Sequence, residues 1–286
     1  MSKDVSVIIP TYNSFSDKQG SLHLTLLSLA QQDISDQIEV IIVDNGSCDN
    51  THQYLTDLAA DFFPKKCRWF ICKETGNRSL TRNLAVEHSS GSIIVLMDDD
   101  VLLPMQETLR TAIDIITSDD RSFACGAQRR WMNRYWDEVL VEKAILQSDI
   151  EFLLKSSFLP CGVNRESGYR DLQEFSFIAH FGVVPRKLFE AVGGFDAKTF
   201  PSRREDVDLM YRLILNDARY INLYDKCKCM HLTHPMIAMD PYDRVKNHLR
   251  FQKREQEFGY NFKVNRLFGV CEGCDGPVLE PVASKV

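Results

Sequence analysis

The chain has 286 residues, 44% of them hydrophobic and 26% charged, with 34 Lys and Arg against 40 Asp and Glu for a net charge of −6. It is long enough to bury a substantial core, and its composition excludes a disordered tail, a collagen-like fibre or a low-complexity repeat. An acidic balance argues against general nucleic-acid binding, which needs clustered cations to displace phosphate counterions. A phosphate ligand would have to be held by a metal, by helix ends or by a few placed arginines.

Val5 to Ile9 is rich in β-branched residues and stops at Pro10, which predicts a first strand. Leu22, Leu26 and Leu29 follow at helical spacing. Ile38 to Val43 predicts a second strand, stopped by Asp44-Asn45-Gly46-Ser47, and Asp49 can cap a helix carrying Tyr54, Leu55, Leu58 and Phe62. Arg68 to Cys72 reads as a third strand and Thr81 to Ser89 as a helix closed by Gly91. Ile93 to Met97 is a fourth strand that runs into Asp98-Asp99-Asp100. Runs apolar at nearly every position fit strands covered on both faces, hence an α/β unit whose mostly parallel sheet is flanked by helices.

The second half is less regular. Phe123 to Gln128 predicts a short strand, and Arg186 to Val192 a helix stopped by Gly193-Gly194. Arg204 to Leu215 is helical, with Val207, Met210 and Ile214 on one face. Asp240-Pro241 opens a late amphipathic helix through Val245, Leu249 and Gln252 that Gly259 ends. The longest apolar run has strand length, far from the ~20 residues needed to span a bilayer. Met1-Ser2-Lys3-Asp4 leads into the first strand without a signal-peptide core, so the expectation is a cytoplasmic protein whose nine cysteines are reduced thiols or metal ligands.

In parallel α/β sheets, ligands sit at the carboxyl ends of the strands. Three of the four predicted strands end there in unusual polar residues: Pro10-Thr11-Tyr12-Asn13, Asp44-Asn45 and the triple aspartate. Adjacent carboxylates repel one another unless a cation or hydrogen bonds compensate. Period-two alternation would point Asp98 and Asp100 the same way, and hard oxygens so placed suit Mg²⁺ or Mn²⁺ with sites left for a diphosphate. The alternative is a solvated acidic loop ahead of a helix near Pro104. Glu205-Asp206, in Arg203-Arg204-Glu205-Asp206-Val207-Asp208, reads either as acidic residues at a helix N-terminus, the role given to Asp208, or as a general base near the metal.

In order, Val7 to Asn13, Val43 to Ser47, Leu96 to Asp100, Gly193-Gly194-Phe195-Asp196 and Glu205 to Asp208 resemble family 2 glycosyltransferases of the GT-A fold, over about residues 5–235. The resemblance implies a Rossmann-like, mostly parallel central sheet over residues 1–235, with residues 1–100 as the nucleotide-binding half and 101–235 as the acceptor-binding half. Residues 236–286 then form a small C-terminal helix and cysteine-containing tail. It implies an inverting enzyme that moves a sugar from a nucleotide-sugar, usually a UDP-sugar, to a hydroxyl of a glycan or lipid-linked acceptor.

By the same resemblance Pro10, Thr11, Tyr12 and Asn13 hold the nucleotide, with Thr11 and Tyr12 around the base and ribose, and Asp44 reads the uracil edge. Arg82 and Asn83 lie near the nucleotide and support the acidic loop, and Arg78 is a further candidate. Asp98 and Asp99 stand near ribose or phosphate, and Asp100 with Asp98 binds the metal. His231 completes the metal site, with His234 as second choice. Asp206 is the catalytic base and Glu205 its neighbour or acceptor contact. Gly194, Phe195 and Asp196 line the acceptor side.

Cys271 and Cys274, spaced as in a zinc knuckle, would form a structural zinc site if Cys227 and Cys229 supplied the other thiolates; free thiols are the alternative. Trp131, Tyr135 and Trp136 among Arg129, Arg130 and Arg134 offer flat faces for a sugar acceptor, or else a helix packing its aromatics into the core. Phe152-Leu153-Leu154 and Phe158-Leu159 would make peripheral contact at the inner face of a membrane, with core packing as the alternative. A dinucleotide oxidoreductase needs a glycine-rich turn after the first strand, which Pro10 to Asn13 lacks, and a sugar nucleotidyltransferase a glycine-rich basic loop there. The non-enzyme alternative is a catalytically silent nucleotide-sugar-binding subunit of a polysaccharide assembly complex.

Overall fold

In the computed structural model the described residues are 4–16, 20–63, 65–125, 127–132, 136–158, 180–223 and 225–234, with positions 246, 249, 250, 252–254 and 256. The first half alternates β1 (Val5–Thr11), α1 (Ser21–Ala30), β2 (Ile38–Asp44), α2 (Thr51–Phe62), β3 (Cys67–Ile71), α3 (Arg78–Glu87) and β4 (Ile93–Met97). Then come β5 (Val101–Leu102), α4 (Thr108–Thr117), β6 (Ser122–Cys125), β7 (Gln128–Met132), α5 (Glu138–Leu146), α6 (Ile150–Lys155) and β8 (Ser157–Phe158). The remainder runs β9 (Phe181–Pro185), α7 (Arg186–Ala191), α8 (Glu205–Leu215), β10 (Arg219–Asn222) and β11 (Lys228–His231).

Alternation along the strands splits the apolar residues between two layers. Val5, Val7 and Ile9 of β1, Ile38, Val40 and Ile42 of β2, and Ile93, Val95 and Met97 of β4 face one cluster, roofed by α1, α2 and α4. Ile8, Ile41, Val43, Ile94 and Leu96 face the other, roofed by α3, α7 and α8. Each buried aliphatic side chain contributes about 1.5–3 kcal/mol, so both roofs are strongly held. Strands apolar on both faces fix their register poorly by hydrophobicity alone. Ser6 supplies a polar mark: its hydroxyl donates to Glu39 Oε1 at 2.7 Å and accepts from Gly91 N at 2.8 Å.

The large sheet has the order β10-β6-β9-β4-β1-β2-β3. The β4, β1, β2 and β3 strands are mutually parallel, as the buried runs predicted. β9 enters antiparallel between β4 and β6, a reversal that the sequence did not signal. A second sheet, β5-β11-β7-β8, grows from the end of the acidic triple.

Three expectations change here. Phe123 to Gln128 is not one strand: β6 ends at Cys125 in the large sheet, and Gln128 opens β7 in the small one. Trp131 lies on β7, so Gln128–Met132 is a strand and not a helix. Leu153 is buried in a third cluster with Val141, Ala144 and Met230, and Phe152 and Leu154 pack against it, so these residues serve a core rather than a membrane face. The Phe158 side chain and Leu159 lie outside what is described. Among the described residues no helix is long and apolar enough to cross a membrane.

Candidate active site

The carboxyl ends of β1, β2 and β4 meet, and a hydrogen-bonded lattice joins their loops. Asn45 N donates to Thr11 O at 2.8 Å, Cys48 N to Asn13 Oδ1 at 3.0 Å, and Thr81 Oγ1 to Asn45 Oδ1 at 3.1 Å. Asn13 adopts the left-handed region at φ 48, which Asn tolerates better than most residues, and its amide donates to Ser47 Oγ at 2.7 Å. Asp44 is fully buried. Its carboxylate accepts from Gly46 N at 3.2 Å, Ser47 N at 3.0 Å and the Ser47 hydroxyl, with His52 Nε2 at 2.9 Å. Asp44 thus organises the loop after β2. His52, a partner no spacing announced, stacks on Trp69 at 5.6 Å.

The three aspartates diverge, because the strand stops at Met97 and its alternation stops with it. Asp99 Oδ2 takes hydrogen bonds from Thr11 Oγ1 at 2.7 Å and Ser14 Oγ at 2.5 Å, tying the acidic turn to the end of β1. Asp98 Oδ1 accepts from Arg82 Nη2 at 2.9 Å. Asp100 faces two histidines: His234 Nε2 lies 3.0 Å from Oδ2 and His231 Nε2 3.5 Å from Oδ1. One ligand atom from each of Asp100, His231 and His234 falls within 4.8 Å of the others. A carboxylate with two imidazoles suits a divalent cation. Asp98, expected beside Asp100 on the metal, is outside that group and held by Arg82 instead. Trp131 stands against the cluster, its indole 4.3 Å from the His231 ring.

Arg82 is the hub. Its guanidinium is buried, with Nη1 3.0 Å from Glu205 Oε1 and Nη2 on Asp98, and it lies 5.5 Å over the Phe195 ring. Burial works against its charge, but Asp98, Glu205 and Asp206 overcome that and raise its pKa. Burial also pushes Asp98 above the usual carboxylate range, helped by Asp100 and Asp99 and opposed by Arg82 and by exposed Arg78. Asp206 is pushed up to about 7, first by burial and then by Glu205, with Arg82 opposing. Arg82 Nε and Glu205 Oε2 are buried with no hydrogen-bond partner among the described residues.

On the acceptor side the outcome is mixed. Gly194, at φ 67, is required: an added Cβ would come within 2.8 Å of Asn83 Oδ1 and 2.9 Å of Phe189. Asn83 was expected near the nucleotide. Its amide instead grips both main-chain groups of Phe195, donating to O at 2.8 Å and accepting from N at 2.9 Å. Phe195 is 2% exposed, so its ring supports Arg82 and offers no face to a sugar. Asp196 accepts from Thr199 N at 3.0 Å and from Arg254. Asp208, expected simply to serve its helix N-terminus, is completely buried between Arg212 Nε at 2.7 Å and Arg254 Nη1 at 3.3 Å.

The zinc expectation gains no support from the described pair. Cys227 and Cys229 are both buried in the same apolar cluster, and the Cys227 thiol, pushed up by burial to about 11, lies 3.8 Å from the Thr108 carbonyl. Zinc needs thiolates. Cys271, Cys274 and Tyr135 lie outside the described residues.

The model for the family described as Glycosyl transferase family 2 matches residues 6–193, more than half of the chain. The chain belongs to glycosyl transferase family 2. Among curated relatives of this family 2 chain, the glycosyltransferase YfnE of Bacillus subtilis is 35% identical over 121 residues, covering 42% of the chain and 29% of the relative. An undecaprenyl-phosphate 4-deoxy-4-formamido-L-arabinose transferase of Pseudomonas fluorescens is 26% identical over 136 residues, covering 46% and 39%. The chain thus spans less than half the length of these relatives.

Solved structures agree in shape. The mannosyltransferase PcManGT of Pyrobaculum calidifontis, in complex with GDP-Man and Mn²⁺, superposes with a TM-score of 0.61 at 20% identity, covering 90% of this chain and 65% of that one. S. aureus TarS 1–349 in complex with UDP-GlcNAc gives 0.62 at 20% identity, covering 89% and 66%. The fold is GT-A.

Proposed function

We propose that this chain transfers a sugar from a nucleotide-sugar, of the UDP type, to a hydroxyl of a glycan or lipid-linked acceptor, with inversion and with a divalent cation at Asp100, His231 and His234. One observation carries the reading. Three side chains able to hold a divalent cation gather near the end of β4, and Arg82 joins the same acidic turn to Glu205, whose neighbour Asp206 has a carboxyl raised to about 7. A general base is most effective when its pKa lies close to the working pH. PcManGT in complex with GDP-Man and Mn²⁺, and TarS in complex with UDP-GlcNAc, support a nucleotide-sugar and a metal in this fold. The undecaprenyl-phosphate transferases among the relatives support a lipid-linked acceptor.

Each residue then has a task. Asp100, His231 and His234 would hold the cation, which would supply Lewis acidity and offset charge on the leaving diphosphate. Pro10 and Tyr12 border the nucleotide, and Asp44 and Asn13 keep the loop against its base in one conformation. Asp99 holds the Thr11 and Ser14 hydroxyls beside the acidic turn. Arg78 lends positive charge at the mouth of the site. Asp206 takes the proton from the acceptor hydroxyl as that oxygen displaces the diphosphate from the opposite face. No protein nucleophile is required, and alignment of donor and acceptor supplies much of the acceleration. Residues 1–100 serve as the nucleotide half and 101–235 as the acceptor half.

Purified protein with Mn²⁺ and a panel of nucleotide-sugars should release nucleoside diphosphate from at least one donor. Asp100→Ala should lose UDP binding, while Asp206→Ala should bind UDP and fail to transfer. Normal transfer by Asp206→Ala would overturn the assignment of the base. UDP binding without release from any common donor would point instead to a silent binding subunit.

A further inference from the structure

The backbone that delivers Glu205 and Asp206 does not hold its course unaided. Arg203 and Arg204 stand consecutively at φ 64 and φ 65, immediately before α8. The left-handed region disfavours any residue with a Cβ, and such strain persists only where the surroundings over-determine it. Among the surroundings is a residue sixty-one positions beyond the end of the family match.

Arg254, in helical residues 252–254, is 11% exposed on its side chain and reaches three points of the strained segment. Its Nη2 bonds Asp196 Oδ2, before the segment; its Nη1 lies 3.3 Å from Asp208 Oδ1, after it. Its guanidinium lies over the Phe200 ring, three residues ahead of Arg203, at 5.3 Å. The anchors are themselves fixed. Phe200 O accepts from the Ser79 hydroxyl, Asp196 Oδ1 accepts from Thr199 N at 3.0 Å, and Arg212 ties Asp208 to Val192 O at 2.7 Å. Two guanidinium groups balance two carboxylates, so charge is compensated where Asp208 has no access to water.

We infer that Arg254 is a positioning residue of the transfer reaction: it clamps residues 196–208 so that Glu205 stays on Arg82 and Asp206 stays aimed at the acceptor hydroxyl. The late helical residues are then a working part of the acceptor half and not an appendage. The role in transfer rests on the proposed glycosyl-transfer function; the clamp itself can be read without turnover.

The test uses the full chain with Arg254→Ala and Arg254→Lys, and three readouts. Tryptic cleavage after Arg203 and Arg204, followed by mass spectrometry without donor or metal, reports the clamp. Arg254→Ala should be cut there roughly tenfold faster than the parent, because local opening exposes the backbone. The dissociation constant for UDP with Mn²⁺ should stay within about twofold, since the nucleotide lattice is untouched, while kcat for transfer falls roughly tenfold to a hundredfold from misplacement of the base. Arg254→Lys keeps the charge but cannot bridge both carboxylates, so it should fall between the two on cleavage and on kcat. Unchanged cleavage at Arg203 and Arg204 in Arg254→Ala overturns the clamp, and so does a loss of UDP affinity in step with kcat, which marks general collapse. A parent protein that releases no UDP from any donor defeats the glycosyl-transfer reading and the role in transfer, while the cleavage result still judges the clamp.

Discussion

Arg82→Met tests whether the hub is held by charge pairing. The guanidinium is nearly sealed from solvent, as is Glu205, whereas the Asp98 side chain is 27% exposed. Removing one partner of a buried pair leaves an uncompensated charge and costs about 3–5 kcal/mol. Because Asp98 can rehydrate, the lower end applies, about 3 kcal/mol. The sulfur side chain refills most of the volume over Phe195, so cavity terms stay small. For a chain of this size that loss lowers Tm by about 6–12 °C. Thermal unfolding followed by circular dichroism, without metal, measures it. The second arm is the double variant Arg82→Met with Glu205→Leu, which takes the stranded carboxylate away as well. It should regain at least about half of the lost stability, since apolar replacement of a buried pair is often neutral. Melting of Arg82→Met within about 2 °C of the parent would refute the reasoning. So would a Glu205→Leu change that adds its own loss on top.

Asp206 makes the protein pH-sensitive in a defined direction. Its carboxyl, ordinarily near 3.8, is raised to about 7, so the fold prefers the protonated form. That contribution is complete below the unfolded value and is lost as pH rises through about 7. Stability of Asp206→Asn relative to the parent, read by denaturant titration, should therefore increase from pH 5 to pH 8, and transfer by the parent should decline below about pH 7; a flat difference contradicts the shift. Mn²⁺ at about a hundred times its dissociation constant should add about 2.7 kcal/mol, raising Tm by about 5–10 °C. Asp100→Asn and His234→Ala should abolish that rise, while Asp98→Asn should keep it because Arg82 holds Asp98 apart. Asp44→Asn exchanges an acceptor of amide hydrogens for a donor, so UDP affinity should drop about tenfold in calorimetry; unchanged affinity would separate the loop after β2 from the nucleotide.

The parallel half of the sheet was legible because Val5 to Ile9, Ile38 to Val43 and Ile93 to Met97 are long, apolar and closed by polar stops. Such runs form the same strand wherever their partners come from. β9 was not legible as part of a sheet, since Phe181–Pro185 is short and owes its conformation to segments far away in sequence. The ends of β1, β2 and β4 marked where the site would be, and the Glu205-Asp206 pair marked its other wall. Extending strand alternation into the triple aspartate misdirected Asp98, because alternation lasts only as long as the strand. Phe195 and Asn83 read as ligand contacts because a motif carries no information on burial. Ser14, His52 and Arg254 carried no signal at all: each acts through a partner fixed by tertiary structure.

The pairing of β5 with β11 sets Val101 opposite His231. Leu232 N also donates to Asp100 O at 2.8 Å. The metal-type group is therefore gauged by main-chain ladder bonds between adjacent strands, not by the length of chain that separates its members. Insertions between β8 and β9, or between α8 and β10, leave that gauge untouched. A single-residue insertion within β11 would do the opposite, reversing the faces of the residues that follow it and turning the His231 imidazole away from Asp100.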